Sequence, residues 1–351
     1  MNRHTAIFDA LRREILAGKF DGADRLPSES QLARRFGVSR PTVSRVMLDL
    51  KRDGLIVTRA GAAARLSRFA QNATGAFAVI NPGRGYGGVL SEICEHLVRL
   101  GEQAGWEMAR AELVEVRPEK RAREIVRWIR QFADERVSGL FLQSFEYLLD
   151  DTRARRDVLG ELARCGLPTV LLDYDIVPAP ERSNYDLVGI DNMAAGLAVG
   201  RSLLARGFQR LAFLMKRGSP PTVVARMRGV ACAVVEAGGV WTPSANVLAA
   251  DPDNRADVAA FLRTHRPQAV VCGNDALAAR LHATLAHLPK VGDVCLAGFD
   301  NLALADQLGF TSVAQPCADI ATIALSTMQS RLAAPRLPVR TILLNGTLVV
   351  R

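Results

Sequence analysis

The spacing of apolar positions changes along the chain and divides it into two stretches of different character. From about Thr5 to Ala17, Ile7, Phe8, Leu11, Ile15 and Leu16 recur at helical spacing, and Gly18 follows as a stop. Residues 26–50 read as two further short helices joined by a tight turn. Ser28, with Gln31 three residues on, makes a capping-box pattern for the first of them, and Gly37 ends it. Ser39 is expected to N-cap the second, on which Val43, Val46, Met47 and Leu50 form one apolar stripe. Arg40, Ser44, Arg45 and Lys51 point away from that stripe. After an Asp53-Gly54 turn, Leu55–Thr58 and Ala64–Ser67 read as two short strands around Gly61, with Arg59 and Arg65 flanking the tip. Periodicity is then lost across Ser67–Gly75, which reads as a linker.

From Ala76 onward short apolar runs alternate with longer helical patterns. Strands are expected at Phe77–Ile80, Trp106–Ala111, Gly139–Leu142, Thr169–Leu172, Leu187–Ile190, Leu211–Met215, Asn246–Ala249, Ala269–Cys272, Val294–Ala297 and Thr341–Leu344. Helices such as Val89–Gln103, Glu119–Phe132, Ala194–Ala205 and Val223–Ala237 lie between them. Such alternation implies parallel sheets covered on both faces, hence an α/β fold. The stretch is long for one doubly wound sheet, so two lobes with a cleft between them are expected. Ligands of such sheets bind beyond the carboxyl ends of the strands. The division expected is a winged helix-turn-helix over 1–68, a linker over 69–75, and a two-lobed body over 76–351.

Charge sharpens this division. The 351 residues carry a net charge of +9 and are 49% hydrophobic, which argues for globular folding throughout. Residues 1–70 hold 14 Lys/Arg against 7 Asp/Glu, whereas the remaining 281 hold 31 against 29. The basic excess therefore sits with the helix-turn-helix pattern, as a surface meeting phosphates requires. The bland reading, a solvated basic face, does not explain why charge and motif coincide. The 6 cysteines form no CxxC pair and read as small buried hydrophobes of a reducing compartment. With no apolar leader and no bilayer-length apolar run, a cytoplasmic location without a membrane partner is expected. The 5 histidines do not cluster, so no metal is expected.

A helix with one buried face and an Arg/Ser/Thr-rich N-terminal turn is suited to reading the major groove. Ile15…Gly18, Leu26-Pro27-Ser28-Glu29, Leu32-Ala33, Val38-Ser39-Arg40, Thr42-Val43 and Gly54-Leu55-Ile56 together resemble the winged helix-turn-helix head of GntR-family regulators. The resemblance implies DNA contacts at Arg40 and Thr42. The set expected to meet DNA is Ser28, Glu29, Ser39, Arg40, Thr42, Ser44, Arg45, Arg59 and Gly61. The chain departs from that family at Ser44, where Arg is frequent, and at Ala60–Ala64, a wing tip poor in Gly and basic residues.

The body carries Val188-Gly189-Ile190-Asp191-Asn192 with Gly196, Ala225-Arg226-Met227-Arg228-Gly229, Cys272-Gly273-Asn274-Asp275-Ala276, Gly298-Phe299-Asp300-Asn301 and Ser312-Val313-Ala314-Gln315-Pro316. In this order they resemble the effector domain of LacI/GalR-type repressors, which has the periplasmic-binding-protein type I fold. Head and body together resemble the arabinose-repressor subgroup of GntR proteins. The resemblance implies a sugar or sugar derivative as effector and Arg226 and Asp275 as ligand-holding groups, a guanidinium fork and a carboxylate expected to read hydroxyl geometry from opposite sides of the cleft. The effector set expected is Tyr86, Phe145, Glu146, Arg226, Asn274 and Asp275. The bland alternatives are a surface Arg226, an Asp275 that caps the following helix, a core Phe145 and a solvated Glu146. Asp191 and Asn192 are read as fixing a turn and a helix start.

Gly83, Gly85 and Gly88 spell a literal GxGxxG after a strand and before a helix, with Glu112 ending the next strand. A dinucleotide-binding enzyme is therefore the competing reading, although the pattern alone is a weak signal. No GxSxG or HExxH accompanies it. The expectation is a non-enzymatic, cofactor-free, homodimeric regulator of the repressing kind, whose binding to double-stranded operator DNA responds to a small effector.

Overall fold

The computed structural model describes residues 3–16, 19–20, 25–52, 55–58, 64–66, 75–81, 88–114, 117–143, 152–288 and 293–351. The head begins with α1 (Arg3–Leu16), α2 (Glu29–Phe36) and α3 (Arg40–Arg52). Ile7, Leu11 and Ile15 from α1 meet Leu32 and Ala33 from α2 and Val43, Val46, Met47 and Leu50 from α3 in one core. The capping box forms as expected, Ser28 and Gln31 exchanging side-chain and backbone hydrogen bonds at the start of α2. Gly37 closes that helix with φ 63°, a left-handed conformation that a side chain disfavours. The strands β1 (Ile56–Val57) and β2 (Arg65–Leu66) pair antiparallel, Ile56 opposite Leu66, and so form the base of a wing.

The body is built on two parallel sheets. The first contains β3 (Ala76–Asn81), β4 (Glu107–Glu112), β5 (Gly139–Gln143), β6 (Thr169–Leu172), β7 (Asp186–Ile190) and β13 (Thr341–Leu344), in the order β13-β7-β6-β5-β3-β4. The helices α4 (Gly88–Gln103), α5 (Pro118–Asp134) and α6 (Thr152–Cys165) connect its first strands. Its interior strands read as near-continuous apolar runs because both faces are covered, whereas edge strand β4 is mostly exposed. Phe77 stacks on Trp106 at 4.1 Å and meets Phe141 edge-on at 5.6 Å. Each such aromatic pair adds roughly 0.5–1.5 kcal/mol beyond burial.

The chain then crosses into the second lobe through α7 (Asn192–Ala205), β8 (Leu211–Met215), α8 (Pro221–Glu236), the short α9 (Pro243–Asn246) and β9 (Val247–Ala249). It continues with α10 (Arg255–His265), β10 (Ala269–Cys272), α11 (Asp275–Leu285), β11 (Cys295–Ala297), α12 (Ala303–Leu308) and β12 (Ser312–Ala314). The strand order of this sheet is β11-β10-β8-β9, all parallel. Helix α13 (Cys317–Ala333) returns to the first lobe, where its Ile320, Ala321, Ala324 and Met328 join the core cluster of α4. After β13 the chain crosses once more, and β14 (Thr347–Val349) pairs antiparallel with β12. Three crossings between the lobes thus follow β7, β12 and β13.

Candidate functional site

The DNA face rests on the contrast between the two sides of α3. Val43, Val46 and Leu50 are fully buried, while Arg40 and Arg45 are exposed and have no partner among the described residues. Ser39 stands one residue before α3, its hydroxyl 2.9 Å from that of Thr42. Beside the α2–α3 turn lies a concave surface of about 680 Å³ whose lining includes Arg3, Arg34, Ser39, Arg40 and Thr42. Three guanidiniums on one concave surface suit a phosphate track. Ser28 is engaged in its cap, and Glu29 accepts a hydrogen bond from the Ser44 hydroxyl at 2.6 Å. Ser44 therefore ties α3 to α2, a use that its sequence position did not signal. Glu14 receives Arg35 and Lys19, and the hydrogen bond from Arg35 holds its carboxyl below the usual range. Arg59 and Gly61 lie outside the described residues.

Where the effector site is expected, two helices of the second lobe approach unusually closely. A Cβ at Gly196 on α7 would overlap the Arg226 carbonyl oxygen, and one at Gly229 on α8 would overlap that of Met193. This contact of backbones brings Asn192, at the start of α7, to the Arg226 side chain. Arg226 is 5% exposed: its Nε donates to Asn192 Oδ1 at 2.8 Å and its Nη1 to the Gly273 carbonyl at 2.8 Å. Its guanidinium lies 4.7 Å from the Phe299 ring centre and 3.7 Å from Asp300 Oδ1. Arg226 is thus no surface cation.

Asp275 departs from the sequence expectation in two respects. Asn274, not Asp275, caps α11, accepting from Leu277 N at 2.9 Å. Arg226 and Asp275 also come from the same lobe, on α8 and α11, and do not face each other across the cleft. Asp275 is fully buried with both oxygens engaged, one by the Ser312 hydroxyl at 2.7 Å and one by Leu302 N at 2.8 Å. Burial pushes its carboxyl up to about 6, although those hydrogen bonds pull the other way. A carboxylate so occupied fastens the β11–β12 connection to α11.

Asp300 is the acid that sequence reasoning passed over, although its motif had been noted. It follows β11 with φ 105°, and Gln315 Nε2 donates to its Oδ1 at 2.8 Å. Burial raises its carboxyl above the ordinary value, and Arg226 partly offsets this. The available signal was an acid placed by Gly298-Phe299 just beyond the carboxyl end of the expected Val294–Ala297 strand. Asn192 was likewise read only as a helix start. Asp191 does have that role, its side chain accepting from Ala194 N at 2.8 Å. Tyr86, Phe145 and Glu146 lie outside the described residues, so the other wall of the cleft carries no geometry here.

The strand-loop-helix context of the Gly-rich segment is present, since β3 precedes it and Gly88 opens α4. Gly88 lies against the second lobe. A Cβ there would stand 2.6 Å from Leu302 Cδ2 of the second lobe. Among the described residues no group of three or more His, Cys, Asp and Glu could hold a metal ion, and no helix is long and apolar enough to cross a membrane.

A winged helix-turn-helix head joined to a two-lobed body of parallel sheets defines a ligand-responsive, DNA-binding transcriptional regulator. Comparison with known proteins makes the class specific. Residues 3–66 match the gntR family of bacterial regulatory proteins, and residues 201–351 match the periplasmic binding protein-like domain. The chain is therefore built as a GntR-type head on a periplasmic-binding-protein-like body. It is 25% identical to the ribose operon repressor of Escherichia coli (strain K12) over 333 residues, covering 91% of this chain and 97% of that one. Among solved structures it resembles the transcriptional regulator CelR in complex with cellobiose, with a TM-score of 0.65 and 19% identity over 93% of this chain and 99% of that one. A LacI-family transcriptional regulator from Enterococcus faecium with bound ribose gives a TM-score of 0.60 and 18% identity, covering 78% and 96%. These likenesses favour the regulator over a dinucleotide-binding enzyme.

Proposed function

We propose that this chain is a sugar-responsive repressor, acting in the cytoplasm as a homodimer and without enzymatic activity. The observation that carries the effector reading is the pair formed by buried Arg226 and half-buried Asp300, 3.7 Å apart beyond the carboxyl ends of the second-lobe strands. A guanidinium and a carboxylate with unused donor and acceptor capacity are suited to reading hydroxyl geometry. Ribose and cellobiose in structural relatives support a sugar as the class of ligand. Arg226 and Asp300 would hold the sugar, with Asn274 beside them and Tyr86, Phe145 and Glu146 on the facing wall. Asp275 is assigned to the scaffold.

On the DNA side, Arg40, Thr42 and Arg45 would contact bases and phosphates, with Arg59 and Gly61 in the wing. Ser28, Glu29, Ser39 and Ser44 would set the geometry of the two helices. The domains proposed are 1–68, a linker over 69–75, and 76–351. The test is binding of the full chain to duplexes spanning the DNA that flanks its own gene, with and without D-ribose, cellobiose and other sugars. Sequence-selective binding that Arg40→Ala weakens by ~1–3 kcal/mol per half-site contact is expected. Release by one sugar, lost in Arg226→Ala, completes the expectation. Binding indifferent to sequence and to Arg40→Ala would overturn the DNA assignment. Unchanged sugar affinity in Arg226→Ala and Asp300→Asn would overturn the cleft.

A further inference from the structure

Helix α4 touches a different part of the molecule at each end. At its N-terminus Gly88 abuts Leu302, a second-lobe residue whose N–H is held by the buried Asp275. One residue on, the Val89 carbonyl oxygen lies 3.9 Å from the Cys317 sulfur, where the chain re-enters the first lobe. At the other end the turn after α4 meets the head. Arg12 on α1 donates from Nη1 to the Ala104 carbonyl at 2.6 Å, and its guanidinium lies 5.7 Å from the Trp106 ring centre. Trp106 is 4% exposed and stacked on Phe77 of β3, so this anchor is part of the first-lobe core. The 16 residues of α4 span ~24 Å between these contacts.

The helix between them is well placed to move as a unit. Val89, Ile93, Leu97 and Val98 are buried along its inner face. At Gly101 the backbone comes so close to Met108 that a Cβ would overlap its sulfur. Packed interiors transmit displacement because they do not compress. The grip on Arg12 leaves the exposed Arg40 and Arg45 of α3 uncovered. A head held in this way can still bind DNA.

We propose that α4 is a connecting rod: displacement of the second lobe at Gly88–Leu302 shifts the helix, and Arg12 passes the shift to the DNA-binding head. Gly88 is thereby assigned to contact between lobes, and Arg12 becomes a positioning residue that touches neither DNA nor effector. This rests on reading the chain as a ligand-gated regulator, but its test needs neither operator nor effector and so fails separately from that reading.

The test is amide hydrogen exchange along α1 in four full-length proteins: the parent, Gly88→Val, Arg12→Ala and the double variant. Gly88→Val wedges the contact with Leu302. It is expected to speed exchange in α1 several-fold in the parent background, and to add nothing once Arg12 is alanine. Unchanged exchange in α1 of Gly88→Val would overturn the rod. An equal increase in both backgrounds would overturn the role of Arg12. Should Gly88→Val fail to fold by circular dichroism, the milder Gly88→Ala carries the same comparison with the same two overturning results.

Discussion

Arg226 and its neighbours illustrate how a buried charge is kept in a cleft. A guanidinium removed from water is costly unless its donors are used and a counter-charge is near. Asn192, the Gly273 carbonyl and Asp300 supply both. The neighbouring acid Asp275 makes a pH prediction. Its folded pKa of about 6 lies above the ordinary 3.8, so between these values the folded protein binds a proton that the unfolded chain has released. Stability contributed by this group is therefore highest below pH ~4 and falls as pH rises toward 6, with no further loss above. Asp275→Asn is expected to remove that decline, read as the urea midpoint measured from pH 4 to 7. A slope unchanged in Asp275→Asn would locate the titration elsewhere. Arg226 was singled out in the sequence through the resemblance that its motif helps to carry. Asn192 and Asp300 were not, because their roles come from helix crossing and backbone conformation, neither of which leaves a periodic signal.

Elements with strong periodicity were read well, and short ones were not. Thr169–Leu172, Leu211–Met215, Ala269–Cys272 and Thr341–Leu344 are strands over the expected residues, and β3, β4, β5, β7, β9 and β11 shift by only a residue or so. The strands β12 and β14 escaped: neither three-residue segment shows an alternation of its own, and unlike β9 and β11 neither was expected between two helical patterns. The close approach of α7 and α8 was also invisible, since glycines inside a helical pattern read as neutral or unfavourable. It can be tested by contrast. Gly229→Ala puts a methyl group into the Met193 carbonyl and should destabilise by roughly 1–3 kcal/mol. Gly160→Ala, inside α6 with nothing within 4 Å of the added Cβ, should stabilise by roughly 0.5–1 kcal/mol. Thermal denaturation of the two variants should move in opposite directions. A shared direction would refute the backbone contact as the reason for glycine on α8.

At the scale of the molecule, charge separates the DNA-binding part from the rest less simply than the totals over residues 1–70 and 71–351 imply. Within the near-neutral body, α5 and α6 flank a groove of about 1130 Å³ that includes Arg123, Arg127, Arg130, Arg153, Arg156 and Arg164. The groove is partly neutralised from within: Glu161 receives Arg130 and Arg164, whose hydrogen bonds pull its carboxyl down to about 2. Arginines exist in both places, then, but Arg40 and Arg45 of the head are exposed on α3 with no carboxylate partner among the described residues. Each cation that displaces a counterion from duplex DNA contributes about 0.9 to the slope of log affinity against log salt. Arg40→Ala and Arg45→Ala should therefore each lower that slope by up to about 0.9 if the side chain meets a phosphate. Arg123→Ala and Arg156→Ala, far along the chain on the lobe surface, should leave it unchanged. Fluorescence anisotropy of a labelled operator duplex across a salt series separates the two sets. A slope lowered equally by the body variants would mean that DNA is held by the first lobe as well, and that the helix-turn-helix supplies only part of the electrostatic attraction.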